Sequence, residues 1–131
     1  MSRLNIKKLG VIVNPAAGAG GAFIENMASS AISMFRDSHI IRPHLRARRD
    51  ATVAAAADLA YSVDAILVVG GDGTMSDVAY GLFKAGAVTP ILSVGAGSTN
   101  AGHLITVRSQ WLDRLDPSTL LVQEVEGYWH P

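Results

Sequence analysis

Three short apolar runs, at positions 9–13, 65–69 and 90–94, each discharge into a cluster of glycines. Nine of the thirteen glycines fall in these clusters: Gly18, Gly20 and Gly21; Gly70, Gly71 and Gly73; Gly95, Gly97 and Gly102. A short apolar run bounded by turn residues has the length of a strand. One as rich in branched residues as 65–69 suits a strand buried on both faces. Buried strands of this kind belong to parallel sheets, in which every strand ends at the same edge. All three clusters therefore meet where open α/β sheets bind ligands.

The intervening segments support that arrangement. Residues 22–35 carry Phe23, Ile24, Met27, Ala28, Ala31, Ile32, Met34 and Phe35 at helical spacing. Residues 39–45 read as a second strand, which Pro43 confines to an edge. Asp50 is placed to cap an alanine-rich helix over 51–61, and 75–84 resumes the helical period. The order β-α-β-α-β-α-β predicts an α/β fold, a three-layer parallel sheet with helices on both faces and right-handed crossovers. Further along, 111–115 reads as a short helix and 120–128 as a strand that begins another unit. The expected division is an α/β domain over 1–121 and the start of a β domain over 122–131.

Composition narrows the chemistry. With 131 residues, 49% hydrophobic and 17% charged, and a mean hydropathy of +0.27, the chain suits one compact domain. Eleven basic and eleven acidic side chains cancel, which gives no electrostatic reason for a nucleic-acid partner. The absence of cysteine excludes disulfides, a thiolate nucleophile and cysteine metal sites. His39, His44, His103 and His130 lack metal-ligand spacing. Lys7 and Lys8 precede only five apolar residues before Asn14-Pro15, short of the roughly 7–15 in a secretion signal. No run approaches the about 20 residues of a membrane span, so the expectation is a cytoplasmic chain without stable membrane insertion.

Glycine lets backbone amides approach an anion closely, and a following helix adds its positive end. Three such loops at one edge make a phosphate cradle; the alternative is that the glycines simply turn the chain. Gly18-Ala19-Gly20-Gly21-Ala22-Phe23 has phenylalanine where a dinucleotide fingerprint has its third glycine, and no Gly-Lys-Ser/Thr follows any loop. In Gly70-Gly71-Asp72-Gly73-Thr74 a single carboxylate stands between glycines. Asp72 there can accept a hydroxyl proton or help hold a metal, or it can merely cap the next helix. Thr74 can donate to a phosphate oxygen. Arg42, Arg46, Arg48 and Arg49, with His44, form a basic cluster that either reaches a phosphate or is solvated. Trp111 and Trp129 read as packing residues, and Ser98 lacks the setting of a hydrolase nucleophile.

The segment Gly70-Gly71-Asp72-Gly73-Thr74 resembles the GGDGT signature of the superfamily joining NAD kinases with diacylglycerol and sphingosine kinases. Asn14-Pro15-Ala16-Ala17-Gly18 resembles its NPxxG segment, and the continuation Gly18-Ala19-Gly20-Gly21 is most similar to the ATP-NAD kinase-like branch. Asn100-Ala101-Gly102-His103-Leu104 resembles NxGxL of NAD kinases, while Gly97-Ser98-Thr99-Asn100 resembles GTGN of lipid kinases. Ile105-Thr106 replace the Gly-Phe that follows in NAD kinases, and Ala101 replaces the acidic residue that follows in lipid kinases.

The resemblance implies an ATP-binding domain that works with Mg²⁺, and a second, mostly β domain that completes the acceptor site. It implies Asp72 as the catalytic carboxylate, with Asn14 and Gly18 bordering the nucleotide and Gly70, Gly71, Gly73 and Thr74 around the phosphates. Gly97, Ser98, Thr99 and Asn100 would line the nucleotide or acceptor pocket. The expected acceptor is first the hydroxyl of NAD and second a lipid, in a self-associating protein. A nucleotide-binding module without catalysis is the reading from a different class.

Overall fold

The computed structural model describes residues 6–14, 21–45, 48–95 and 107–108. Its elements are β1 (Lys8–Val13), α1 (Gly21–Ser33), β2 (His39–Ile41), α2 (Arg49–Leu59), β3 (Ala65–Gly70), α3 (Asp72–Ala85), β4 (Ile91–Gly95) and β5 (Val107–Arg108). The strands form one parallel sheet in the order β2-β1-β3-β4-β5. The expected α/β fold with a three-layer parallel sheet is thus observed. β3 lies at its centre with all six residues buried.

Alternation along the strands divides the core in two. Leu9, Val11 and Val13 of β1, with Ala65, Leu67 and Val69 of β3, meet Ile24, Met27, Ala28 and Ala31 of α1. On the other face Ile12, Ile66 and Val68 meet Ala55, Ala56 and Leu59 of α2 and Met75, Val78 and Leu82 of α3. Each branched side chain buried completely contributes about 1.5–3 kcal/mol. The chain moves from β1 to β2 in one direction along the sheet under α1, then in the other direction under α2 and α3. Direction and face reverse together, so the three crossovers share one hand.

Local chemistry explains where elements differ from expectation. α1 stops at Ser33, two residues short, though Phe35 N–H still bonds the Ile32 carbonyl at 2.9 Å. β2 keeps only three residues and ends ahead of Pro43, on the sheet edge as expected. Asp50 does not cap α2. The capping position is Arg48, which makes no side-chain capping bond, and Asp50 lies inside the first turn. Its carboxylate takes a forked pair from Arg48, at 3.0 Å from Nε and 2.6 Å from Nη2. α2 also ends at Leu59 rather than 61. The alanines pack as expected: a Cβ at Gly81 of α3 would lie 2.8 Å from the Ala56 Cβ, so small residues on both helices set their close approach.

α3 begins at Asp72, three residues before the period predicts. It ends at Gly86, whose left-handed φ of 68° lets its N–H reach the Phe83 carbonyl at 3.0 Å. β5 was not expected, because two residues carry no periodicity. Among the described residues, no helix is long and apolar enough to cross a membrane. The loops holding Gly18, Gly97, Ser98, Thr99, Asn100 and His103, the elements expected over 111–115 and 120–128, and the 121/122 boundary lie outside the described residues.

Candidate functional site at the carboxyl edge of the sheet

The order β2-β1-β3-β4-β5 reverses between β1 and β3, and there the crossovers leave on opposite faces. A crevice at the carboxyl ends of such a strand pair is the usual ligand site of a doubly wound sheet. Asn14 follows β1 directly, and Gly70 and Gly71 end β3. The strand ends that lead into two of the three expected loops therefore lie side by side at the reversal point. β4 brings Gly95 in register beside Gly70.

Asn14 is held by both its backbone and its side chain. Its backbone N–H bonds the Val69 carbonyl at 3.0 Å. Its Nδ2 donates to Thr74 Oγ1 at 2.9 Å. Thr74, in the first turn of α3, is buried. A Cβ on Gly70 would come within 2.7 Å of the Thr74 Oγ1 and Cβ, so position 70 must be glycine for Thr74 to sit where it does.

The glycine-rich segment is barely a loop. Gly70 belongs to β3, and Asp72 and Gly73 belong to α3. Only Gly71 lies between them, as an extended capping residue without a side-chain bond. Asp72 is thus the first helical residue rather than the cap, and it is half-buried. An anionic side chain is favoured in a first helical turn, where the amides lack intrahelical partners. Gly73 is exposed, and a Cβ there would meet no described residue within 4 Å. Packing does not require glycine at 73, and its bareness leaves room for a ligand to approach the backbone.

These features fit an anionic phosphate group: helix amides and, among the described residues, an open glycine. Among the described residues, no group of three histidine, cysteine, aspartate or glutamate side chains could hold a metal ion.

The basic cluster has partners that sequence reasoning missed. Arg42 meets Glu25 of α1 at 2.7 Å, Arg48 meets Asp50, and Arg49 meets Asp77 of α3 at 2.9 Å. Asp77 is the interesting partner. Partial burial pushes its carboxyl above the usual carboxylate value, and Arg49 pulls the other way. Arg46 lies outside the described residues. Glu25 lies 17 positions from its arginine and Asp77 lies 28 from its own, so no local spacing announces either pair.

Similarity to known proteins agrees with the geometry. The family described as the diacylglycerol kinase catalytic domain matches residues 8–118. A crystal structure of a diacylglycerol kinase from Bacillus anthracis str. Sterne is 25% identical, with a TM-score of 0.58, over 75% of this chain and 36% of that one. A second structure from the same strain, named as a candidate diacylglycerol kinase, is also 25% identical. Its TM-score is 0.59, over 76% of this chain and 36% of that one. The chain thus spans little more than a third of the length of these solved structures. No curated protein matches it.

Proposed function

Because the chain belongs to the diacylglycerol kinase catalytic domain family, we propose that it is the ATP-binding part of a lipid kinase. The acceptor is the hydroxyl of a diacylglycerol-type lipid. The observation that carries this reading is the juxtaposition of Asp72 with the open Gly73 backbone at the first turn of α3, beside the fixed Asn14.

In this reading the bare first turn of α3 receives the phosphates, and Asn14 borders the nucleotide. Gly18 and the segment Gly97, Ser98, Thr99 and Asn100, outside the described residues, are assigned to the nucleotide by motif resemblance alone. The acceptor hydroxyl oxygen attacks the γ-phosphorus of ATP. The new O–P bond forms as the bond to the β–γ bridging oxygen breaks, ADP leaves, and the hydroxyl proton passes to the Asp72 carboxylate. Magnesium bound with ATP would neutralise phosphate charge, and supporting it is the alternative role for Asp72 to that of proton acceptor. The remaining work is positioning by helix amides and side chains.

NAD stands as the competing acceptor, favoured by the continuation Gly18-Ala19-Gly20-Gly21 in the first loop. The family match and the structural relatives support the lipid at least as well. The test offers ATP and Mg²⁺ with diacylglycerol in mixed micelles or with NAD, for the native protein and Asp72→Asn. The expected result is phosphorylated lipid, with turnover in Asp72→Asn lower by about 10²–10⁴-fold while ATP still binds. NADP formation without lipid product would transfer the assignment to NAD. ATP binding with neither product would identify a non-catalytic module.

A further inference from the structure

The sequence places Thr74 where a hydroxyl is expected to meet a phosphate, yet its surroundings are those of a strut. Only 5% of the residue is exposed. Its Oγ1 accepts the Asn14 amide at 2.9 Å, and its side chain stands so close to Gly70 that no Cβ could be added there without displacement. Asn14 is held a second time by the Val69 carbonyl. The ends of β1 and β3 and the first turn of α3 are therefore clasped through two side chains at the reversal point of the sheet.

We propose that Thr74 is a positioning residue: it fixes the carboxamide of Asn14 in one orientation, and Asn14 is the member of the pair that meets the nucleotide. The inference rests on the ATP-binding reading above. The terminal torsion of an asparagine is broad and roughly two-fold, so a bond to a buried hydroxyl is what selects one setting. Ordering the amide in advance spares that cost when ligand arrives. Gly70 belongs to the same device, because any larger residue would push Thr74 away from Asn14.

The test uses Thr74→Val, which keeps the branched shape against Gly70 and removes the acceptor, and Thr74→Ser, which keeps the hydroxyl. Asn14→Ala and the double variant with Thr74→Val complete the set. Thr74→Val is expected to weaken ATP binding in calorimetry about tenfold, the scale of one lost hydrogen bond. It should raise the KM for ATP more than it lowers kcat, and Thr74→Ser should restore most of the affinity. The double variant should bind no more weakly than Asn14→Ala alone. Urea unfolding of the same proteins reads the clasp without nucleotide, and there the double variant and Asn14→Ala should share one midpoint.

Native ATP affinity in Thr74→Val, or losses that multiply in the double variant, would overturn the proposal. If the native chain binds no ATP, the kinase reading and the nucleotide role of Asn14 both fall. The urea midpoints then show separately whether the clasp exists.

Discussion

The two edges of the central sheet are closed by different polar chemistry. At the amino edge, the Asp64 carboxylate accepts the N–H groups of Lys7 and Lys8, both at 2.9 Å from the same oxygen. The Asp64 N–H bonds the Lys8 carbonyl at 2.8 Å. A charged group there stitches β1 to β3. At the carboxyl edge the described ties are neutral: the Asn14 N–H on the Val69 carbonyl joins β1 to β3, and its amide on the Thr74 hydroxyl joins β1 to α3. The carboxylate at that edge, Asp72, opens a helix instead, next to a glycine whose added Cβ would meet no described residue within 4 Å. One edge uses a carboxylate on its own backbone, and the other sets a carboxylate at a helix start beside an exposed glycine. That division is expected when stability and ligand binding are assigned to opposite ends of a sheet.

The sharpest way to break the contrast is Gly70→Ala. The added methyl meets the buried Thr74 at 2.7 Å, and overpacking of this kind costs about 1–3 kcal/mol. Urea unfolding should show that loss, with ATP affinity falling in parallel because the clasp on Asn14 is displaced. Unchanged stability would mean that the Gly70–Thr74 contact relaxes freely.

Asp64→Asn tests the opposite edge. The two amide bonds hold the Asp64 carboxyl below the usual carboxylate value, the Lys8 amide contributing most. Their contribution is therefore complete at neutral pH and is lost as pH falls through that depressed value. The site is solvent-exposed, so the variant should lose about 1 kcal/mol at pH 7. Its stability should also depend less on pH in the acid range, with no change in ATP affinity. Equal pH profiles for native and variant proteins would remove Asp64 from this role.

Gly73→Ala should separate the two properties with the smallest effect on stability. Its methyl meets no neighbour, and alanine is the better helix residue, so stability should rise by about 0.5–1 kcal/mol. On the proposed reading ATP affinity should fall, because the methyl would stand where the phosphates are proposed to bind. A variant that gains both stability and affinity would show that the ligand lies elsewhere.

The sheet and its layers were legible because the apolar runs of β1, β3 and β4 are nearly uninterrupted, and burial on both faces demands that. The extent of α3 was not. Glycine is a poor helix residue, so Gly71-Asp72-Gly73 reads as a loop, whereas packing of Thr74 and Met75 draws the helix back to Asp72. Asp50 shows the reverse error: a good capping residue lay two positions from Arg48, whose guanidinium claimed it. For the candidate site, the sequence marked Asn14, Asp72 and Thr74 but not the bond that joins Asn14 to Thr74 across 60 positions. The requirement for glycine at 70 was likewise a steric fact that only folding reveals.

β2 has a consequence for how copies of this protein can meet. As an outer strand it presents only three residues of ladder, followed at once by Arg42 and by Pro43, which has no amide hydrogen to offer. A strand so short and so guarded is a poor template for a neighbouring chain. Among the described residues, pairing of sheets edge to edge is therefore disfavoured on this side.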